Sequence, residues 1–148
     1  MVIKFKKTKM DAVIPFRATK GSAAYDLFTA EDVIVKRGKR MMIPTGIAIE
    51  LPEGYVADVR PRSGYSLRGI QADNGMYMDC DVLLGTIDSD YRGEIGIIVK
   101  NNGDAFRICK NKRIAQLLIH KVEDVEFSEV YELSDTERGT GGFGHTNK

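Results

Sequence analysis

The stretch Gly85-Thr-Ile-Asp-Ser-Asp-Tyr-Arg-Gly-Glu94, followed at once by Ile95-Gly-Ile-Ile-Val99, decides the fold class. Short β-branched runs broken by glycine predict extended chain rather than helix, and the stretch reads as a β-hairpin arm. Its loop gathers Asp88, Asp90, Tyr91 and Arg92 between Gly85 and Gly93. An aspartate in such a turn either caps its own backbone or presents a carboxylate for chemistry, and the stretch alone leaves both open.

Outward from this arm, extended pieces are expected over residues 2–5, 11–17, 32–35, 40–43, 46–51, 55–59, 95–100 and 106–109. Pro15 places the second of these at an edge. Residues 114–122 are nearly all apolar, as expected for a strand buried on both faces. Pro52-Glu-Gly54 reads as a hairpin turn, and Asn74-Gly75 marks another hairpin within residues 71–84. Residues 60–65 are too broken for a strand and lead into one helical turn through Leu67. Many short strands with turns every roughly 8–12 residues indicate an all-β barrel or sandwich.

The chain has 148 residues, which suits one domain with a real core. Its 22 basic and 21 acidic residues leave a formal charge of +1, which argues against nucleic acid held by bulk charge. Any anion must be gripped by a few well-placed groups. Cys80 and Cys109 are too few for a disulfide framework. The N-terminal lysines precede no apolar run, and no segment nears the roughly 18 apolar residues of a membrane span. A soluble, cytoplasmic protein with no membrane partner is expected.

Residues 138–148, Arg-Gly-Thr-Gly-Gly-Phe-Gly-His-Thr-Asn-Lys, cannot build a core. Phe143 distinguishes them from a purely solvated tail and suits an arm that orders over a ligand. Gly139, Gly141 and Gly144 satisfy Gly-x-Gly-x-x-Gly, but no βαβ context surrounds them, so the match is an accident of glycine content. A Ser63–His145–Asp88 triad lacks a nucleophile elbow, and the two histidines and two cysteines lack zinc spacing. His120 reads as an ordinary strand residue. Arg62-Ser63-Gly64 combines a guanidinium, a hydroxyl and exposed N–H groups, which suits either phosphate oxygens or a plain turn. Gln116, an amide inside an apolar strand, needs a partner in the protein or in a ligand.

Taken together, these pieces resemble the homotrimeric dUTPase family. Its five motifs appear in order: residues 23–30, Pro61-Arg-Ser-Gly64, Gly85 to Glu94, Arg113-Ile-Ala-Gln116, and Arg138-Gly-Thr-Gly-Gly-Phe-Gly144. The resemblance implies a β jelly roll over residues 1–137, a C-terminal arm over 138–148 that closes the site, and a homotrimer with shared active sites. It implies hydrolysis of dUTP to dUMP and pyrophosphate, which limits uracil incorporation into DNA and supplies dUMP for thymidylate synthesis. Asp88 is implied to activate water and contact the 3′-hydroxyl, and Tyr91 to lie flat under the deoxyribose. Thr86, Ile87 and Gly96 are implied to read uracil through the backbone. Arg62, Ser63, Gly64 and Gln116 are the implied phosphate contacts. Arg138 would reach the γ-phosphate, with Phe143 and Gly144 closing on the base. Asp26 would support Mg2+ through water, the ion being held mainly by substrate phosphates. His145 stands where the family usually has serine, and segment 71–84 is longer than usual. The same fold hosts dCTP deaminases, which depart from Ile87-Asp-Ser-Asp-Tyr-Arg-Gly93, and a regulatory binding protein is a further alternative served by segment 71–84.

Overall fold

Alternation along one strand shows how the core is made: Ile95, Ile97, Val99 and Asn101 are buried, while the residues between them face outward. This computed structural model describes residues 1–142. In chain order the early strands are β1 (Lys4–Lys7), β2 (Tyr25–Phe28), β3 (Val33–Val35), β4 (Arg40–Glu50) and β5 (Tyr55–Pro61). Helix α1 (Ser63–Arg68) follows, then β6 (Ile70–Gln71), β7 (Tyr77–Met78), β8 (Cys80–Val82) and β9 (Gly85–Ile87). The last strands are β10 (Glu94–Asn101), β11 (Phe106–Ile108) and β12 (Arg113–Lys121).

One four-stranded sheet runs β1-β4-β10-β8 and another β2-β12-β5-β9, with β11-β3 and β6-β7 as two-stranded companions. All their pairings are antiparallel. Ile43, Ile47, Ile97 and Val99 of the first large sheet share one apolar cluster with Leu27, Ala57, Val59 and Leu117 of the second. The all-β class read from the sequence therefore holds, as does the helical turn at α1.

Several local expectations change. The two strands expected over 40–43 and 46–51 are one strand, β4. It absorbs Pro44 and Gly46 as an irregularity where Gly96 pairs with Pro44 but Glu94 with Ala48. Gly46 has φ +70, and a Cβ there would lie 2.6 Å from that of Ala12, so the kink needs glycine. Pro52-Glu-Gly54 is a turn, with the Tyr55 N–H donating to the Pro52 carbonyl at 3.2 Å, but it makes no hairpin. It carries the chain from the sheet of β4 to the sheet of β5. Residues 11–17 form no strand and contribute only the Phe16–Asp26 bridge. β12 is buried on both faces only near its start, since Leu118 and Ile119 are partly open and His120 is exposed.

The arm at residues 85–94 departs most usefully. β8 pairs with β10, whereas β9 pairs only with β5. The strand thus changes sheets at Leu84–Gly85, and the facing edges of β9 and β10 carry no ladder. The hairpin expected from sequence is splayed.

The β6–β7 hairpin forms as Asn74-Gly75 predicts, with Ile70 opposite Met78, Gln71 opposite Tyr77 and Gly75 at φ +85. Residues 122–142 form no strand or helix. Phe127 and Tyr131 in that stretch are fully exposed within one chain.

Candidate active site

Strand register assembles the first half of the site. β12 lies between β2 and β5, so Gln116 stands opposite Asp26 on one side and Arg60 on the other. Cross-strand partners share a face, which turns three polar side chains toward one place. β5 ends at Pro61, and the chain turns into α1 immediately afterwards, bringing Arg62, Ser63 and Gly64 to the same rim. The resulting cavity, of about 510 Å³, is lined by Asp26, Arg60, Arg62, Ser63, Gly64 and Gln116 among others.

Gln116 answers its need for a partner by donating through Nε2 to the Pro61 carbonyl at 2.8 Å. Asp26 is buried, with Oδ1 3.2 Å from Arg62 Nε and Oδ2 2.9 Å from Arg113 Nη1. A buried carboxylate needs such compensation. At the start of α1, the N–H groups of Tyr65 and Ser66 donate to the Arg62 carbonyl. Ser63 and Gly64 keep their N–H groups unpartnered among the described residues, as first-turn donors do without a side-chain cap.

The second half lies on the splayed arm. Thr86 and Ile87 lie on β9, paired with Asp58 and Ala57 of β5, and Gly96 lies on β10, with which β9 shares no ladder. Asp88 follows directly, exposed, its carbonyl accepting the Tyr91 N–H at 3.2 Å. Tyr91 folds back so that its hydroxyl donates to the Glu94 carbonyl at 3.1 Å. A Cβ on Gly93 would lie 2.2 Å from that hydroxyl oxygen, so the ring's seat requires glycine. Arg92 turns into its own loop, donating to the Ser89 carbonyl at 2.6 Å. The Thr86 hydroxyl is 3.2 Å from Asp58 Oδ1 and donates to it, leaving its backbone as the group available on the arm.

Within one chain the two halves stay apart. Asp88 lines a separate cavity of about 390 Å³ with Gly54, Tyr55, Ser89 and Val122. Arg138 donates through Nε to the Gly141 carbonyl at 2.8 Å, inside its own turn. Phe143, Gly144 and His145 lie outside the described residues. Arg113, the second guanidinium on Asp26, had no assigned role in the sequence reading, because only the β2–β12 register reveals the contact. Arg68, which also lines the larger cavity, carries no signal in the sequence.

Among the described residues no cluster of three or more His, Cys, Asp or Glu side chains could hold a metal. Both Asp26 oxygens are committed to arginines. That donor set suits an ion that arrives with phosphate oxygens rather than one held in a protein cage. Among the described residues no helix is long and apolar enough to cross a membrane.

The sequence profile of the dUTPase family matches residues 10–147. The deoxyuridine 5′-triphosphate nucleotidohydrolase of Nautilia profundicola is 49% identical over 150 residues, spanning 100% of both chains. The solved dUTPase of Staphylococcus bacteriophage 80alpha with dUPNHPP superposes with a TM-score of 0.88 at 30% identity, covering 99% of each chain. A mutant dUTPase from phage phi11 of S. aureus, described for its coordination of a structural Mg(II) ion, gives 0.79 at 26% identity, covering 89% of this chain and 98% of that one.

Proposed function

The chain belongs to the dUTPase family, and from that premise we propose that it hydrolyses dUTP to dUMP and pyrophosphate by in-line attack of water on the α-phosphorus. The observation that carries the reading is the division of the site into an arginine-lined pocket with open N–H donors and a splayed arm ending in Asp88. A nucleoside triphosphate needs both: positive charge and donors for its phosphates, and a backbone edge for its base.

Uracil presents an acceptor–donor–acceptor edge, which peptide N–H and C=O groups complement. The edges of β9 and β10, which share no ladder with each other, support assigning base recognition to Thr86, Ile87 and Gly96. Tyr91 lies under the deoxyribose and leaves no room for a 2′-hydroxyl, while Asp88 also receives the 3′-hydroxyl. Arg62, Ser63, Gly64 and Gln116 take the phosphates. Asp26 acts through Arg62 and Arg113 by fixing where their charge sits.

Asp88 accepts a proton from the attacking water as its oxygen bonds to the α-phosphorus. The bond to the oxygen bridging the α- and β-phosphorus breaks, and pyrophosphate leaves. Asp26 would support Mg2+ through water, with the substrate phosphates as its main ligands, and the ion would supply neutralisation of phosphate charge there. Arg138 approaches the γ-phosphate, and the arm over 138–148 closes with Phe143 and Gly144 on the base. The separation of Asp88 from the phosphate pocket within one chain supports a homotrimer whose sites draw on several subunits. The protein so assigned works in the cytoplasm, limiting uracil in DNA and supplying dUMP.

Pyrophosphate release from dUTP, UTP, dTTP and dCTP tests the reading. Selective release from dUTP is expected, and equal rates on UTP would overturn the Tyr91 assignment. Asp88→Asn is expected to bind nucleotide while turnover falls about 10²-fold or more; near-normal turnover would remove Asp88 from the chemistry.

A further inference from the structure

A pocket answers the charge of a triphosphate most strongly with cations that its own carboxylates have not already matched. Four guanidinium groups stand in or beside the Ser63 pocket: Arg60, Arg62, Arg68 and Arg113. Three are engaged, Arg60 with Asp58 at 2.9 Å, and Arg62 and Arg113 with Asp26 at 3.2 and 2.9 Å. Arg68 alone of the four has no carboxylate partner among the described residues.

Its head is nonetheless held. The Arg68 guanidinium carbon lies 4.8 Å from the centroid of the Tyr77 ring. Its Nη2 would lie 3.2 Å from a Cβ built on Gly64, so the guanidinium sits directly beside the Ser63–Gly64 donors. Tyr77 belongs to β7, in the 71–84 segment that is longer than usual for the family. Its ring is edge-on to Tyr65 at 6.5 Å, and Tyr65 in turn carries Arg62 over its face at 5.5 Å. A run of alternating rings and cations, Arg68–Tyr77–Tyr65–Arg62, thus leads from the hairpin into the pocket. Stacking uses the face of a guanidinium and none of its N–H groups, which point outward in the plane and stay available for an anion.

We propose that Arg68 is a phosphate-binding residue of this site and that Tyr77 is the positioning residue that aims its guanidinium, an inference resting on the dUTP reading above. The longer hairpin is then a brace for the phosphate end of the substrate.

Calorimetric titration of the full chain with the non-hydrolysable α,β-imido analogue of dUTP, and with dUMP, separates this from an ordinary exposed arginine. Arg68→Ala is expected to weaken the analogue about tenfold while changing dUMP by less than about twofold, since charge-assisted bonds to the outer phosphates are what it loses. Arg68→Lys is expected to recover part of that loss, keeping the charge without the fork. Tyr77→Leu is expected to weaken the analogue about two- to fivefold, and Tyr77→Phe to match the parent because the ring face remains. Tyr77 is 43% exposed, so neither change threatens folding. Unchanged analogue affinity in Arg68→Ala, or equal losses for analogue and dUMP, would overturn the proposal. Tyr77→Phe as weak as Tyr77→Leu would remove Tyr77 from it. If the parent protein releases no pyrophosphate from dUTP, the nucleotide reading fails instead. Inorganic tripolyphosphate then serves as the probe, and Arg68→Ala must still lose affinity for it.

Discussion

Asp58 shows what a single carboxylate does on the outer face of a strand. It is 8% exposed, with Arg60 donating at 2.9 Å, the Thr86 hydroxyl at 3.2 Å and His120 Nε2 also at 3.2 Å. The Arg60 hydrogen bond, outweighing the cost of burial, holds its carboxyl below the ordinary 3.8, with His120 and Thr86 adding to the effect. A depressed folded-state pKa adds stability that is fully present above the unfolded value and disappears as pH falls through the folded one. Asp58→Asn is therefore expected to cost on the order of 1–2 kcal/mol near neutral pH. The gap from the parent should narrow as pH falls below the ordinary 3.8 and close only once it has passed the lower folded value, where both chains carry a neutral group. Thermal melts across pH check this, and a gap that persists unchanged into acid would show that the carboxylate charge is not the stabilising feature.

At the scale of elements, β10 carries a second buried polar group. Asn101 is fully buried at the strand's end, and its Nδ2 lies 3.3, 3.2 and 2.9 Å from the carbonyls of Val35, Lys36 and Asp104. Its Oδ1 accepts the Gly103 N–H at 3.0 Å. One amide thereby ties β3, the turn after it and the turn after β10. Asn101→Leu is expected to cost about 1–3 kcal/mol by stranding those carbonyls. Asn101→Asp should cost more, because it sets an anion against them; chemical denaturation of both variants measures the order. Strand identity was legible in the sequence because period-two alternation in β10 and the turn residues around it are local signals. Sheet membership was not. Whether Gly85 continues a hairpin or crosses to the other sheet depends on Val59 waiting opposite it, a contact far along the chain. The same limit applied to the site. Arg62-Ser63-Gly64 was legible as either a phosphate cradle or a plain turn, whereas the Asp26–Arg113 contact and the Arg68–Tyr77 stack exist only through strand register and hairpin packing.

At the scale of the whole molecule, the two halves of the proposed site make opposite demands on a single chain. The Arg62 pocket opens beside α1 and the start of β12, and Asp88 lines another cavity with Gly54 and Val122, beyond the far end of β12. The outer face of the second large sheet leaves Leu118 partly open between them, and the segment beyond Lys121 exposes Phe127 and Tyr131 completely. Apolar surface of that kind on an otherwise well-packed chain asks for cover by further copies. If three copies close around a rotation axis, the Arg62 pocket of one subunit meets the Asp88 arm of another. Subunit mixing tests this directly. Arg62→Ala and Asp88→Asn are each expected to be nearly inactive alone. After co-refolding in equal amounts, a site that draws the two residues from different subunits regains both in roughly a quarter of cases, assuming random assembly. Pyrophosphate release should rise to about that fraction of the parent rate. Mixtures with no more activity than the separate variants would mean that both residues act within one chain.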